Sequence, residues 1–141
     1  NIYGLVDTRG ANAIAPGKRP LSSMTPTILR RGGKLFMVTG SPGGPRIIST
    51  TLLTVLAVVD HGRDAQAAVS AARYHHQWLP NRVNVEPGVP DGVVRGLEAR
   101  GHEVSRAPSA WSSAQVVVVD PATGHLTGRS DPRGDGTAAG R

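Results

Sequence analysis

TILRRGGKLFMVTGSPGGPRIISTTLLTVLAVVD, residues 27–60, is the stretch that decides the architecture. Thr27–Arg30 and Lys34–Thr39 are short β-prone runs on either side of Arg31-Gly32-Gly33, a combination that predicts a hairpin. After the loop Gly-Ser-Pro-Gly-Gly, the segment Pro45–Asp60 has proline at the first helical position and Gly62 as its stop. Its Ile47, Ile48, Thr51, Leu52, Val55, Val58 and Val59 recur at helical spacing, which predicts a buried helix despite the β-branched content.

Working outward, residues 1–24 read as extended or looped, punctuated by Gly4, Gly10, Pro16, Gly17 and Pro20. Downstream, Asp64 caps a helix over Ala65 to about Tyr74, and Asp91 opens another that Gly101 closes near Arg100. Strands are expected at Val83–Glu86, Glu103–Ser105, Gln115–Asp120 and His125–Arg129, the last two joined by a turn over residues 121–124. From Asp131 the Gly-rich tail is expected to fray. Strands and helices come in blocks as well as in alternation, so the pattern points to layered α+β rather than a doubly wound parallel sheet. At 141 residues the chain falls in the range of one domain.

Composition narrows the functional classes. With Gly 18 and Pro 11 beside an aromatic content of 4%, the chain is loop-rich but short of the composition of disorder. Its +6 charge is spread from Arg9 to Arg141, and Arg30-Arg31 is the closest cluster. No basic run is interleaved with stacking aromatics, which argues against a nucleic-acid partner. The absence of cysteine excludes disulfides, thiolate nucleophiles and Cys-ligated zinc. Leu52–Val59, the longest apolar run, is far below the roughly 18 residues of a membrane span, and no signal peptide opens the chain. Asn1 rather than Met at the start suggests a fragment or a processed chain.

Two segments can carry chemistry. In RPLSSM, residues 19–24, the adjacent hydroxyls of Ser22 and Ser23 and the nearby N–H groups are able to bind a carboxylate; an ordinary serine-rich turn is the other reading. In GSPGGPR, residues 40–46, Gly43 and Gly44 let the backbone approach a ligand, and the following helix would aim its unsatisfied N–H groups at an oxyanion. The alternative there is a plain strand-to-helix connection. The loop is neither a Walker loop nor GxGxxG. Adjacent His75 and His76 make a poor metal pair, and His61, His102 and His125 lack ligand spacing, so packed or capping histidines are expected. Trp78 reads as a core anchor, and Asp131-Pro132-Arg133 as a turn or an internal salt bridge.

Taken together, NIYGLVD, GKRPLSSMTPTIL, VTGSPGGPRIIST, RYHHQWLPNRVNVEPG and GRSDPRGDGTAAG stand in the order found in gamma-glutamyltransferases, and the chain resembles the C-terminal part of their small subunit over nearly its whole length. The resemblance implies an N-terminal-nucleophile hydrolase fold, an αββα sandwich present here as a partial domain and completed by a large subunit after self-cleavage of a zymogen. It implies cleavage of the gamma-glutamyl amide of glutathione and related amides, with transfer to water or an acceptor amino acid through a threonyl ester. No metal or organic cofactor is implied. Residue by residue, it assigns Ser22 and Ser23 to the substrate's α-carboxylate, and the N–H groups of Gly43 and Gly44 to the oxyanion.

The same family places its nucleophilic threonine, and the acidic groups that hold the substrate's α-amine, upstream of the segment matching NIYGLVD. Thr8, Thr25 and Thr27 fall outside the nucleophile motif, so the isolated chain is expected to be inert. Pro45 stands where many relatives have a small residue, at a position where the lost N–H would be orphaned anyway. Relatives are usually exported, which implies a periplasmic or extracellular setting. A cephalosporin acylase-like amidase of the same superfamily is the nearest alternative, and a non-catalytic basic binding module is one of a different class.

Overall fold

Arg31-Gly32-Gly33 does turn the chain back on itself: β1 (Thr27–Arg31) pairs antiparallel with β2 (Lys34–Gly40) in the computed structural model. That structure describes residues 10–140; NIYGLVD, Thr8, Arg9 and Arg141 lie outside the described residues. Leaving β2, the chain makes a single 3-10 turn over Gly44–Arg46 and then enters α1 (Ile47–Val59). Proline is tolerated in that first turn because no carbonyl awaits its missing N–H.

The face that α1 buries overlaps the one its apolar spacing selects at Ile47, Thr51 and Val58, but is shifted toward Thr50, Thr54 and Ala57. Thr50, Thr51, Thr54, Ala57 and Val58 lie inward, whereas Ile48 and Leu52 are each 54% exposed. Two of the three threonine hydroxyls are satisfied, since Thr54 Oγ1 donates to the Thr50 carbonyl at 2.9 Å and Thr51 Oγ1 accepts from Thr25 at 3.1 Å, whereas Thr50 Oγ1 has no partner among the described residues. The threonine methyl groups pack as small apolar surface, which lets the helix lie close to the sheet.

Asp64 Oδ1 accepts the Ala67 N–H at 2.8 Å and so caps α2 (Ala65–Ser70). The helix expected to reach Tyr74 stops well short of it. The Arg73 N–H is taken by a Glu86 carboxylate oxygen at 3.0 Å instead of a helical carbonyl, and Tyr74–His75 becomes the short strand β3. β4 (Val83–Val85) pairs antiparallel with β3 and parallel with β5 (Val104–Arg106), and α3 (Asp91–Glu98) connects β4 to β5.

β6 (Gln115–Val119) and β7 (Leu126–Ser130) return to the first sheet, whose strand order is β1-β2-β6-β7, antiparallel throughout. The amides of Thr123 and Ala122 hold the Asp120 carboxyl at the β6–β7 turn below its ordinary pKa. On one face of this sheet Met37 and Val116 meet Ala57, Val58, Ala65, Ala68 and Val69 in the main core. On the other face Ile28, Val38 and Val117 stand side by side across three strands and remain exposed.

Trp78 is a correction. It is 76% exposed with φ 73°, on the loop between β3 and β4, and anchors no core among the described residues. No described helix is long and apolar enough to cross a membrane. The class is α+β, as the block pattern of elements predicts.

Candidate functional site

Ser22 and Ser23 enter β1 from a loop, and Gly43-Gly44 leave β2, so the hairpin itself brings the two segments to one end of the sheet. They meet directly. Ser23 Oγ donates to the Gly44 carbonyl at 2.7 Å, and Ser23 is 9% exposed. Ser22 is exposed, and its Oγ accepts the Met24 N–H at 3.1 Å, which leaves its own O–H able to donate to a ligand. The neighbouring hydroxyls are thus oriented differently: one ties down the glycine turn and the other faces solvent.

Gly43 has φ 138° and Gly44 φ 58°, backbone conformations that L side chains rarely adopt. In this conformation neither the Gly43 nor the Gly44 N–H donates to a partner among the described residues. These paired donors sit at the mouth of the 3-10 turn and α1, where Pro45 carries no N–H and the N–H groups of Arg46 and Ile47 are taken by the Gly43 and Gly44 carbonyls. Chemically, such a turn can stabilise negative charge developing on a carbonyl oxygen.

Beneath the turn lies a loop that the sequence does not single out. A Cβ built on Gly43 would overlap Ser112 Oγ and come within 3.1 Å of Ser112 Cβ. Ser112 itself has φ 61°, unusual for a residue with a side chain. Beside it, the Arg46 guanidinium lies 4.6 Å from the centre of the buried Trp111 ring.

That loop is held by a buried ionic network. Glu86 accepts the Trp111 N–H at 2.9 Å, Asp131 accepts the Ala114 N–H at 2.9 Å, and both carboxylates bind Arg133. Arg73, with a side chain 2% exposed, pairs with Asp131 and also donates to the carbonyls of Trp111 at 3.0 Å and Val69 at 2.8 Å. Burial works to raise the Asp131 carboxyl, but the Ala114 and Arg133 amides and the two guanidiniums outweigh it and hold the group below its ordinary pKa. Burial likewise works to lower Arg133, and the bonds to Glu86 and Asp131 reverse that. The Gly-rich tail therefore starts on two of the most firmly held residues of the chain, Asp131 and Arg133.

Of these anchors, Asp131-Pro132-Arg133 is visible in the sequence as an internal salt bridge, whereas Arg73 and Glu86 are not. Their one signal is a charged residue directly beside a strand, next to Tyr74 and Val85 respectively. Of the histidines only His75 is buried, and His61, His76, His102 and His125 are exposed. His75 Nδ1 meets Ser49 Oγ at 2.7 Å and its Nε2 meets Gln77 at 3.1 Å, while His76 meets Asn81 at 3.1 Å. Among the described residues no group of His, Asp and Glu is arranged to hold a metal ion.

Beyond this geometry, the family model described as gamma-glutamyltranspeptidase matches residues 1–141. The chain belongs to the gamma-glutamyltranspeptidase family. Among its relatives, the glutathione hydrolase proenzyme of Escherichia coli (strain K12) is 49% identical over 133 residues, covering 94% of this chain and 22% of that protein. The chain thus spans less than a quarter of the length of that relative. Among solved structures, the T380A mutant of Helicobacter pylori gamma-glutamyltranspeptidase superposes with a TM-score of 0.85 at 42% identity, over 95% of this chain and 73% of that one. Cephalosporin acylase from Bacillus halodurans superposes with a TM-score of 0.84 at 30% identity, over 94% of this chain and 25% of that one. The fold is that of the N-terminal-nucleophile hydrolases, and the family comprises hydrolases and transferases made as proenzymes.

Proposed function

We propose that this chain is the C-terminal part of the small subunit of a gamma-glutamyltransferase, and that it supplies the donor-binding and oxyanion groups of the active site. The observation that carries the reading is the 2.7 Å hydrogen bond from Ser23 Oγ to the Gly44 carbonyl, which joins two segments proposed on separate chemical grounds. A carboxylate and an amide carbonyl of one substrate can then be gripped at once, as a gamma-glutamyl donor requires.

In this reading Ser22 donates its hydroxyl proton to the donor's α-carboxylate, and Ser23 stands beside it. The Gly43 and Gly44 N–H groups receive the gamma-carbonyl oxygen as it becomes negative. A threonine elsewhere in the enzyme attacks the carbonyl carbon, and its hydroxyl proton passes to its own α-amine. Collapse of the tetrahedral intermediate breaks the carbon–nitrogen bond, and the amine leaves with that proton. Water or an acceptor amine then attacks the threonyl ester and frees the enzyme. The oxyanion donors are the term with the most weight, since each is typically worth about 3–4 kcal/mol of barrier.

The exposed apolar surfaces support a chain that packs against the rest of a precursor, including a large subunit. Ile48 and Leu52 on α1, with Ile28, Val38 and Val117 on the open sheet face, leave water only if another part of the enzyme covers them. A second reading, an amidase for glutaryl rather than gamma-glutamyl groups, draws on the likeness to cephalosporin acylase. Both acyl groups present a carboxylate and an amide carbonyl.

Kinetics of the full-length gene product test the reading. A hydrogen bond to a charged group is worth about 1.5–3 kcal/mol, so Ser22→Ala should raise the KM of a chromogenic gamma-glutamyl anilide about 10- to 100-fold. An unchanged KM in a folded variant would count against the carboxylate role. Preference for a glutaryl anilide over the gamma-glutamyl one would favour the second reading.

A further inference from the structure

We propose that Ser112 is a positioning residue for the oxyanion turn, acting through the bare Cα of Gly43. The inference rests on the assignment of Gly43 and Gly44 as oxyanion donors and adds a residue that neither site segment contains.

Three observations converge on Ser112. Its hydroxymethyl group occupies the space a side chain on Gly43 would need, so the two residues are in direct van der Waals contact. Its Oγ is shut off from solvent, yet has no hydrogen-bond partner among the described residues. Its backbone sits at φ 61°, where a residue bearing a Cβ is strained. A buried hydroxyl without a partner and a left-handed serine are both unfavourable for stability, and they coincide on the residue that touches the turn.

Strain of this kind persists only where the surroundings over-determine it. They do so here on both sides of Ser112. The Trp111 N–H is fixed by Glu86 and the Ala114 N–H by Asp131, two carboxylates locked in turn by Arg73 and Arg133. The Trp111 ring is also stacked by Arg46, the last residue of the 3-10 turn. Gly43-Gly44 is consequently clamped twice: from the Gly44 carbonyl by Ser23 and from the Gly43 Cα by Ser112. A glycine turn with no side chains of its own is otherwise free to drift, and donors displaced by about 1 Å can forfeit about 100-fold in rate.

Ser112→Gly separates this role from a structural one because the two predict opposite signs. Glycine accepts φ 61° without strain and removes the unpaired hydroxyl, so the thermal midpoint of the full-length gene product should stay level or rise. If Ser112 positions the turn, kcat for a gamma-glutamyl anilide should nonetheless fall about 10-fold, with KM kept within about 2-fold, because only the transition state uses the oxyanion donors. A parental kcat overturns the proposal, and so does a kcat loss that comes with a lowered midpoint. Should the glycine variant fail to fold, Ser112→Ala decides: about a 3-fold loss of kcat at constant KM supports the role, and an unchanged kcat overturns it. Gly44→Pro, which removes an oxyanion donor and also forces the backbone away from φ 58°, keeps the two levels apart. If Gly44→Pro folds with unaltered kcat, the oxyanion reading itself fails; if it is impaired while Ser112→Gly is not, only the positioning role falls.

Discussion

Asp131→Asn is nearly isosteric, yet it should be among the most damaging single changes available in this chain. The Asp131 side chain is 0% exposed, with Oδ2 accepting the Ala114 N–H and an Arg73 guanidinium, and Oδ1 accepting the Arg133 N–H and guanidinium. Every partner is a donor. An amide in place of the carboxylate must turn its NH2 toward one of those pairs, and the lost charge leaves Arg73 and Arg133 against Glu86 alone. Breaking a buried ion pair by removing one partner costs about 3–5 kcal/mol. For a cooperative unit of about 150–250 residues, each kcal/mol lowers the midpoint by about 2–4 °C, so the thermal midpoint should fall by about 6–20 °C. Near-UV circular dichroism of the full-length gene product during heating would read this directly. The cycle with Arg73→Met adds a second criterion, because residues sharing one network should be non-additive by at least about 1 kcal/mol. A midpoint within about 2 °C of the parent, or strict additivity in the cycle, would refute the view that the network is a single interdependent unit.

The depressed pKa of Asp131 sets the sign of an acid transition: protons bind more weakly to the folded carboxyl than to the unfolded one at 3.8, so its contribution is complete above that value and is lost as pH falls through the lower folded pKa. Urea titrations should show the network's contribution intact from neutrality to about pH 4.5 and declining below about 3.8, with a shallower decline in Asp131→Asn; a parental acid limb in that variant would contradict the assignment. Gly43→Ala should lower kcat by about 100-fold, since its Cβ overlaps Ser112 and φ 138° is closed to alanine, and steady-state kinetics with activity above a tenth of the parent's would show that the turn is not tightly seated.

How much of this was legible beforehand depends on the range of the interaction involved. The hairpin, the proline-led helix and the Asp64 cap are decided within a few residues of chain, and they appear where the local pattern places them. The α2 helix ends early for a reason its own sequence does not contain, since Glu86 takes the Arg73 N–H from thirteen positions away. The inward face of α1 also departs from expectation. Of the positions that apolar spacing marks, Ile47, Thr51 and Val58 are buried but Ile48 and Leu52 are exposed, and Thr50 and Thr54 lie inward instead; the Thr51 and Thr54 hydroxyls find partners at Thr25 and within the helix. Trp78 was expected to be packed because tryptophan usually is, yet its neighbours in the fold leave it exposed.

The sequence alone determined the order of the elements apart from the short strand β3, the chemical identity of Ser22, Ser23, Gly43 and Gly44, and the family to which those motifs belong, because propensities and motifs are local properties. Only the tertiary structure decided that Ser23 and Gly44 are bonded, that Ser112 lies under Gly43, and that Arg73, Glu86, Asp131 and Arg133 form one buried network. Except for the Asp131–Arg133 pair, which is two positions apart, those contacts join residues separated by 21 to 69 positions in the chain, and a charge or hydroxyl is stable at such a site only when the complete fold brings its partners and excludes water.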